Sequence, residues 1–209
     1  MPVKTLLMKF KYLKIMSKKN FCITDKETGK EFWISRSCAV CVIVVVVDSK
    51  TDKMYLLASK RGPKCPDNVG KWNLTCGYLD FDETLVQAAS RELYEETGVL
   101  VNPEDLQFWG INDAIIPGDE KQNVTHRFWV ALDYEEVSKG LLEGGINTDT
   151  VSRGGEEGEV DEIRLFEADA INSVEWAFNH DQVIYEFVQT LISLRGLEDK
   201  ASEVAETRD

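Results

Sequence analysis

One stretch constrains this chain more than any other: residues 77–99, GYLDFDETLVQAASRELYEETGV. Its end signals bracket a helix. Thr84 is a good N-cap, and Gln87, three residues on, completes a capping box. Gly98 is suited to the C′ position, where a left-handed φ costs glycine little. Between these signals the sequence predicts a helix over 85–97. Val86, Ala89 and Leu93 recur at helical spacing as its buried stripe. Glu92, Glu95 and Glu96 stand at i, i+3 and i+4 and share one face, where like charges repel. A divalent cation removes that repulsion, because clustered carboxylate oxygens are what Mg²⁺ or Mn²⁺ take. An E-x-x-E-E spacing alone also fits a solvated acidic face.

The surrounding residues narrow the choice. Gly77, five residues, Glu83, seven residues, then Arg91-Glu92-Leu93-Tyr94-Glu95-Glu96-Thr97-Gly98-Val99 resembles the Nudix box, G-x5-E-x7-R-E-U-x-E-E-x-G-U, with U a bulky aliphatic, at all nine defined positions. The resemblance implies an α/β fold, a Nudix-type α/β/α sandwich with a mixed β-sheet between helices. It implies a hydrolase that cleaves the pyrophosphate bond of a nucleoside diphosphate linked to another moiety, such as ADP-ribose, a dinucleotide or a nucleotide sugar. Mg²⁺ (or Mn²⁺) would neutralise phosphate oxygens and acidify the attacking water. Glu95 and Glu96 would be the main metal ligands, with Glu92 completing the cluster as ligand or general base. Arg91 would orient a glutamate, Glu83 would pair with Arg91, and Gly77 would let the backbone pass close to metal or phosphate. Where the family usually has Pro-Gly-Gly, this chain has Thr75-Cys76-Gly77, so the metal-binding backbone carbonyl falls to Cys76. Lys60 and Arg61, at a strand end, stand where the family often supplies a phosphate-binding base. A further carboxylate often comes from the loop before the last strand. Glu156, Glu157 and Glu159 are candidates, with Glu159 carried forward as a metal ligand.

Two other readings stand beside hydrolysis. One is a non-catalytic regulatory domain that binds a nucleotide-like ligand, although such domains usually lose box carboxylates and this chain keeps them all. The other is an isomerase of isoprenyl diphosphates, which would need an acid–base pair that no cysteine here is placed to supply.

With 209 residues, 43% hydrophobic and 29% charged, the chain suits one soluble domain with additions. No apolar run reaches the ~18 residues of a membrane span, so no membrane is expected. The net charge of −13 favours a small-molecule nucleotide over duplex nucleic acid. Five cysteines argue against a complete disulfide framework and fit a reducing cytoplasm. Many members of the resembled family dimerise, so a homodimer is admitted.

In order, residues 1–20 form a basic N-terminal extension with six lysines and no acid. A basic arm, a pairing strand, a short helix and a loose terminus all fit it. Residues 21–196 are the expected Nudix hydrolase domain. It opens with a hairpin, Phe21–Thr24 and Phe32–Ile34, turned at Gly29. Strands are predicted over 38–48, 54–59, 71–75, 106–114, 124–132 and 160–166, with Cys38 and Cys41 on opposite faces of the first. Trp72 reads as core, and His126 as a hydrogen-bonded structural residue. Pro117 is a turn former in the loop 115–123. Residues 135–159 are glycine-rich and read as an irregular loop. Asn179 or Asp181 caps a last helix, His180 is a cap-region residue, and Gly196 is the expected stop. Residues 197–209 are a polar, frayed tail.

Overall fold

Strand β3, Cys38–Asp48, is valine-rich and apolar on both faces, and the structure buries it on both. Val40, Val42, Val44 and Val46 line one face, and Cys41, Ile43 and Val45 the other. That alternation requires a layer on each side. The computed structural model describes residues 20–114, 123–142, 157–167 and 170–206. The basic stretch 1–19, Pro117 and Glu156 lie outside them. The described residues fall into two units, one holding residues 20–37 with 114 and 123, the other residues 38–113 and those described from 124 on.

In the first unit, β1 (Phe21–Thr24) and β2 (Glu31–Ile34) form the expected antiparallel hairpin. Its turn is closed by Asp25, whose Oδ1 accepts from the amides of Glu27 and Thr28 at 2.8 and 3.2 Å, and by Gly29 at φ 70°.

The second unit is a mixed seven-stranded sheet with helices on both faces. After β3 come β4 (Lys53–Arg61), β5 (Trp72–Asn73), β6 (Thr75–Tyr78), β7 (Gln107–Asn112), β8 (Val124–Asp133) and β9 (Val160–Glu167). β3 runs parallel to β8, and the other pairings are antiparallel. Helix α1 (Leu85–Thr97) places Ala88, Ala89 and Leu93 on the Val40–Val46 face, with Val86 at its margin. Helix α3 (His180–Glu206) covers the other face with Val183, Ile184 and Phe187.

The sheet forks at β3. Its Val44–Asp48 half pairs with β4, while Ala39–Val42 pairs with β6 on the same side. The far end of β4, at Ser59 and Lys60, pairs with β5 instead, while β9 runs along β4 from Tyr55 to Arg61. The single strand expected over 71–75 is therefore two, broken at Leu74 where the chain crosses the fork.

Two expectations are corrected. The region 135–159 begins not as irregular loop but as helix α2 (Tyr134–Leu142), and residues 143–156 lie outside the described ones. Val137 is buried in the α1-side core and the Tyr134 ring lies 5.1 Å from Tyr55, so tertiary burial overrides the glycine at 140. Gly196 does not stop the last helix, which runs to Glu206 through most of the stretch read as tail. Mid-helix glycine costs about 1 kcal/mol relative to alanine, which weakens a helix without ending it.

Candidate functional site

Helix α1 begins and ends where its local signals place it. Thr84 Oγ1 accepts from the Gln87 amide at 3.4 Å, and Gln87 Oε1 accepts from the Thr84 amide at 2.8 Å. Gly98 adopts φ 72° and donates its N–H to the Tyr94 carbonyl at 2.8 Å. With both ends fixed and Leu93 buried, the acidic face is turned toward β6 and the fork.

Arg91 organises that face. Its Nε and Nη2 grip both oxygens of Glu83 at 3.0 and 2.7 Å. Nη1 donates to Glu92 Oε1 at 2.8 Å and Glu95 Oε2 at 3.0 Å, and Nη2 donates to the Tyr78 carbonyl at 3.0 Å. Glu83 also accepts from the Asp80 amide at 2.8 Å, so the loop before the helix is tied to the helix. The Arg91 hydrogen bonds hold the Glu83 carboxyl below its ordinary range. Glu92 moves the other way: burial raises it against the pull of Arg91, and the charges of Glu95 and Glu159 add to the rise. Gly77 lies directly beneath, and a Cβ there would come 2.0 Å from the Glu92 carboxylate. Any side chain at 77 would have to displace that carboxylate.

Glu96 points into the fork instead. Its Oε1 accepts from the Cys76 amide at 3.4 Å. The Ser59 hydroxyl lies 3.1 Å from Glu96 Oε2 and 3.2 Å from Asn73 Oδ1, and with one proton it donates to one of them at a time. Burial, then the charge of Glu92, pushes Glu96 up to about 8. Strongly perturbed groups of this kind cluster at functional sites.

The structure thus brings together Glu83, Arg91, Glu92, Glu95 and Gly77, with Glu96 one helical turn on beside Cys76. Arg61 contributes at a distance: its charge lowers Glu96, while its guanidinium binds Asp67 at 3.0 Å and lies 4.7 Å from the Phe178 ring centroid. Lys60 is the candidate that is not brought in. It shares the strand face of Ala58 and Trp72, opposite Ser59, and pairs with Asp161 at 3.2 Å. Strand alternation separates the two adjacent cations. Glu159 enters through its neighbours, with its carbonyl accepting from Gly62 N at 2.6 Å and from Cys65 Sγ at 3.1 Å.

Ser59, Asn73 and the Tyr78 carbonyl were not singled out from sequence. Parity along β4 puts Ser59 on the face of Leu57, which packs under α1, but nothing local connects it to a glutamate 37 positions on. His180 is more than a cap-region residue. It is buried, its Nδ1 accepts from the Leu74 amide at 3.0 Å at the break between β5 and β6, and burial depresses its pKa to about 3. Trp72 is core, packed edge-on against Phe166 with ring centroids 4.8 Å apart. His126 Nδ1 lies 3.6 Å from Cys38 Sγ, and Cys41 faces the α3 side.

A description of the NUDIX domain matches residues 39–189 of the chain. Phosphatase NudJ of Escherichia coli (strain K12) is 39% identical over 66 residues, 32% of this chain and 40% of NudJ, so the chain matches well under two thirds of that relative. A mutT/nudix family protein from Listeria innocua superposes with a TM-score of 0.58 at 22% identity, covering 78% of this chain and 99% of the other. The NUDIX domain of Shewanella oneidensis NrtR, solved in complex with ADP ribose, gives 0.57 at 16% identity, covering 86% and 97%. These structural likenesses are to the fold. With the domain match spanning most of its length and the box residues gathered on α1 beside the fork, the chain belongs to the Nudix family.

Proposed function

We propose that this protein is a divalent-metal-dependent hydrolase of the pyrophosphate bond in a nucleoside diphosphate linked to another group. The observation that carries the reading is the pair Glu92 and Glu96. Burial raises both, and Glu92 lies over a glycine whose missing side chain leaves room for its oxygens. The donor set fits a hard cation: Glu92, Glu95 and Glu96 would hold Mg²⁺ or Mn²⁺, with the Cys76 carbonyl and Glu159 as further oxygen donors. Among the described residues no three such side chains already surround one point, because Glu92 and Glu95 are both turned onto Arg91 Nη1. When bound, the metal supplies charge neutralisation at the phosphates and a more acidic water.

The chain's own residues do the rest. Arg91 sets the direction of Glu92 and Glu95 and is itself locked by Glu83, so the cluster keeps its geometry when one carboxylate moves. Ser59 and the Cys76 amide hold Glu96 in the fork, and Arg61 favours its charged form. Glu92, half withdrawn from water and raised, suits either a ligand's role or that of a base accepting the proton of the attacking water.

The test is phosphomonoester release from ADP-ribose, NADH, dinucleoside polyphosphates, nucleotide sugars, coenzyme A and nucleoside triphosphates with Mg²⁺ or Mn²⁺. A Glu96→Gln variant runs alongside. At least one substrate is expected to turn over, with a loss of about a hundredfold or more in the variant. Near-normal turnover by Glu96→Gln would remove Glu96 from the metal set. Silence across the panel with saturable binding of one member would make the domain a ligand sensor.

A further inference from the structure

The loop 62–65 and the residues leading into β9 cross at van der Waals contact or closer. Gly62 donates its N–H to the Glu159 carbonyl at 2.6 Å, Lys64 donates to the Gly158 carbonyl at 3.1 Å, and Cys65 Sγ donates to the Glu159 carbonyl at 3.1 Å. A Cβ on Gly62 would lie 2.2 Å from the Gly158 carbonyl oxygen, a backbone atom that cannot swing aside as a side chain can. Gly158 is constrained by its backbone, at φ 90°, with the Lys64 side chain 3.2 Å from where its Cβ would be. The crossing follows a register shift at Lys60/Arg61, where β4 turns out of its ladder with β9. Two loop sequences, Gly62-Pro63-Lys64-Cys65 and Glu157-Gly158-Glu159, are therefore one hydrogen-bonded unit beyond the end of β4.

The geometry points to Gly62 as a positioning residue for Glu159: its bare Cα lets the Gly158 backbone pass, and the clamp it forms with Cys65 fixes the Glu159 backbone beside the end of β4, where Val160 pairs with Arg61. This rests on the metal-hydrolase reading above, in which Glu159 is an oxygen donor. Glu159 is exposed, and its contacts to Gly62 and Cys65 run through its backbone carbonyl, so its direction comes from the backbone that carries it. The charge of Glu159 is felt at Glu92, where it adds to the rise. Any side chain at 62 must push the two strands of backbone apart, and Glu159 moves with them. Supporting contacts of this kind typically change metal affinity by about 10–100-fold.

A double-mutant cycle on the full chain tests it, read by Mn²⁺ binding in an electron paramagnetic resonance titration and by kcat and KM. The variants are Gly62→Ala, Glu159→Gln and the two combined. Each single variant is expected to weaken Mn²⁺ binding about tenfold, and the double variant no further than either one, because residue 62 acts through 159. Should Gly62→Ala fail to fold, Cys65→Ala takes its place in the same cycle, with a smaller weakening that Glu159→Gln again abolishes. Multiplying effects in the double variant, or wild-type Mn²⁺ affinity in either single, would overturn the clamp. Coupled Mn²⁺ binding with no substrate cleaved would leave the clamp standing and sink hydrolysis.

Discussion

At Glu96, burial and the neighbouring Glu92 raise the carboxyl from 4.5 to about 8. A carboxyl with a folded pKa above its unfolded one stabilises the fold only while it holds its proton. That contribution is complete below about 4.5 and is lost as pH rises through about 8. With metal chelated, the melting temperature of the wild type should therefore fall between pH 5 and pH 8 by more than that of Glu96→Gln, measured by calorimetry. Mg²⁺ should restore more of it at pH 8 than at pH 5, since it binds the ionised form. Equal pH slopes for the two proteins would mean that Glu96 is not held in the raised state. Lys60 and Arg61 teach the same lesson about single residues. They are neighbours in sequence, yet one faces the acidic strand β9 and the other extends its field to Glu96.

Helix α1 is the element whose limits were readable beforehand, because a cap is a contact between residues three or four apart. Replacing Thr84 by Ala removes one half of a reciprocal pair and should cost about 1 kcal/mol in urea unfolding. Gly98→Ala forces a Cβ into φ 72° and should cost about 1–2 kcal/mol. If either variant unfolds with the wild type, the caps do not set the helix limits. Helix α2 shows the opposite case. Its sequence is ordinary for a loop, and what makes it helical is the burial of Val137 and the contact of Tyr134 with Tyr55, more than 70 positions away. Helix α3 crosses Gly196 for a related reason: a stop signal lowers helical stability, and the turns on either side decide the outcome.

Across the whole unit, the sheet is held between two cores, and the α3 side converges on Phe187. That ring is 1% exposed and packs perpendicular to Trp109 at 5.4 Å and tilted against Trp129 at 5.7 Å. Phe187→Ala should cost about 3–5 kcal/mol, read as a lower urea midpoint at unchanged slope. A loss under about 1 kcal/mol would show that the α3 layer is not part of the cooperative core. The fork in β3 is what gives this scaffold its candidate site. It separates β4 from β6 by enough to admit Glu96, with Ser59 on one prong and the Cys76 amide on the other. The sequence by itself determined the α1 helix, its caps, the shared face of Glu92, Glu95 and Glu96, and the two-sided burial of β3. All of these are set by residues within a turn of one another or by strand parity. Only the tertiary structure decided that Glu96 parts from Glu92 and Glu95 to meet Ser59, that Lys60 is turned away, and that Gly62 meets Gly158. Those contacts join residues 37, about 100 and 96 positions apart, and are fixed by strand register and by a fork that no local pattern encodes.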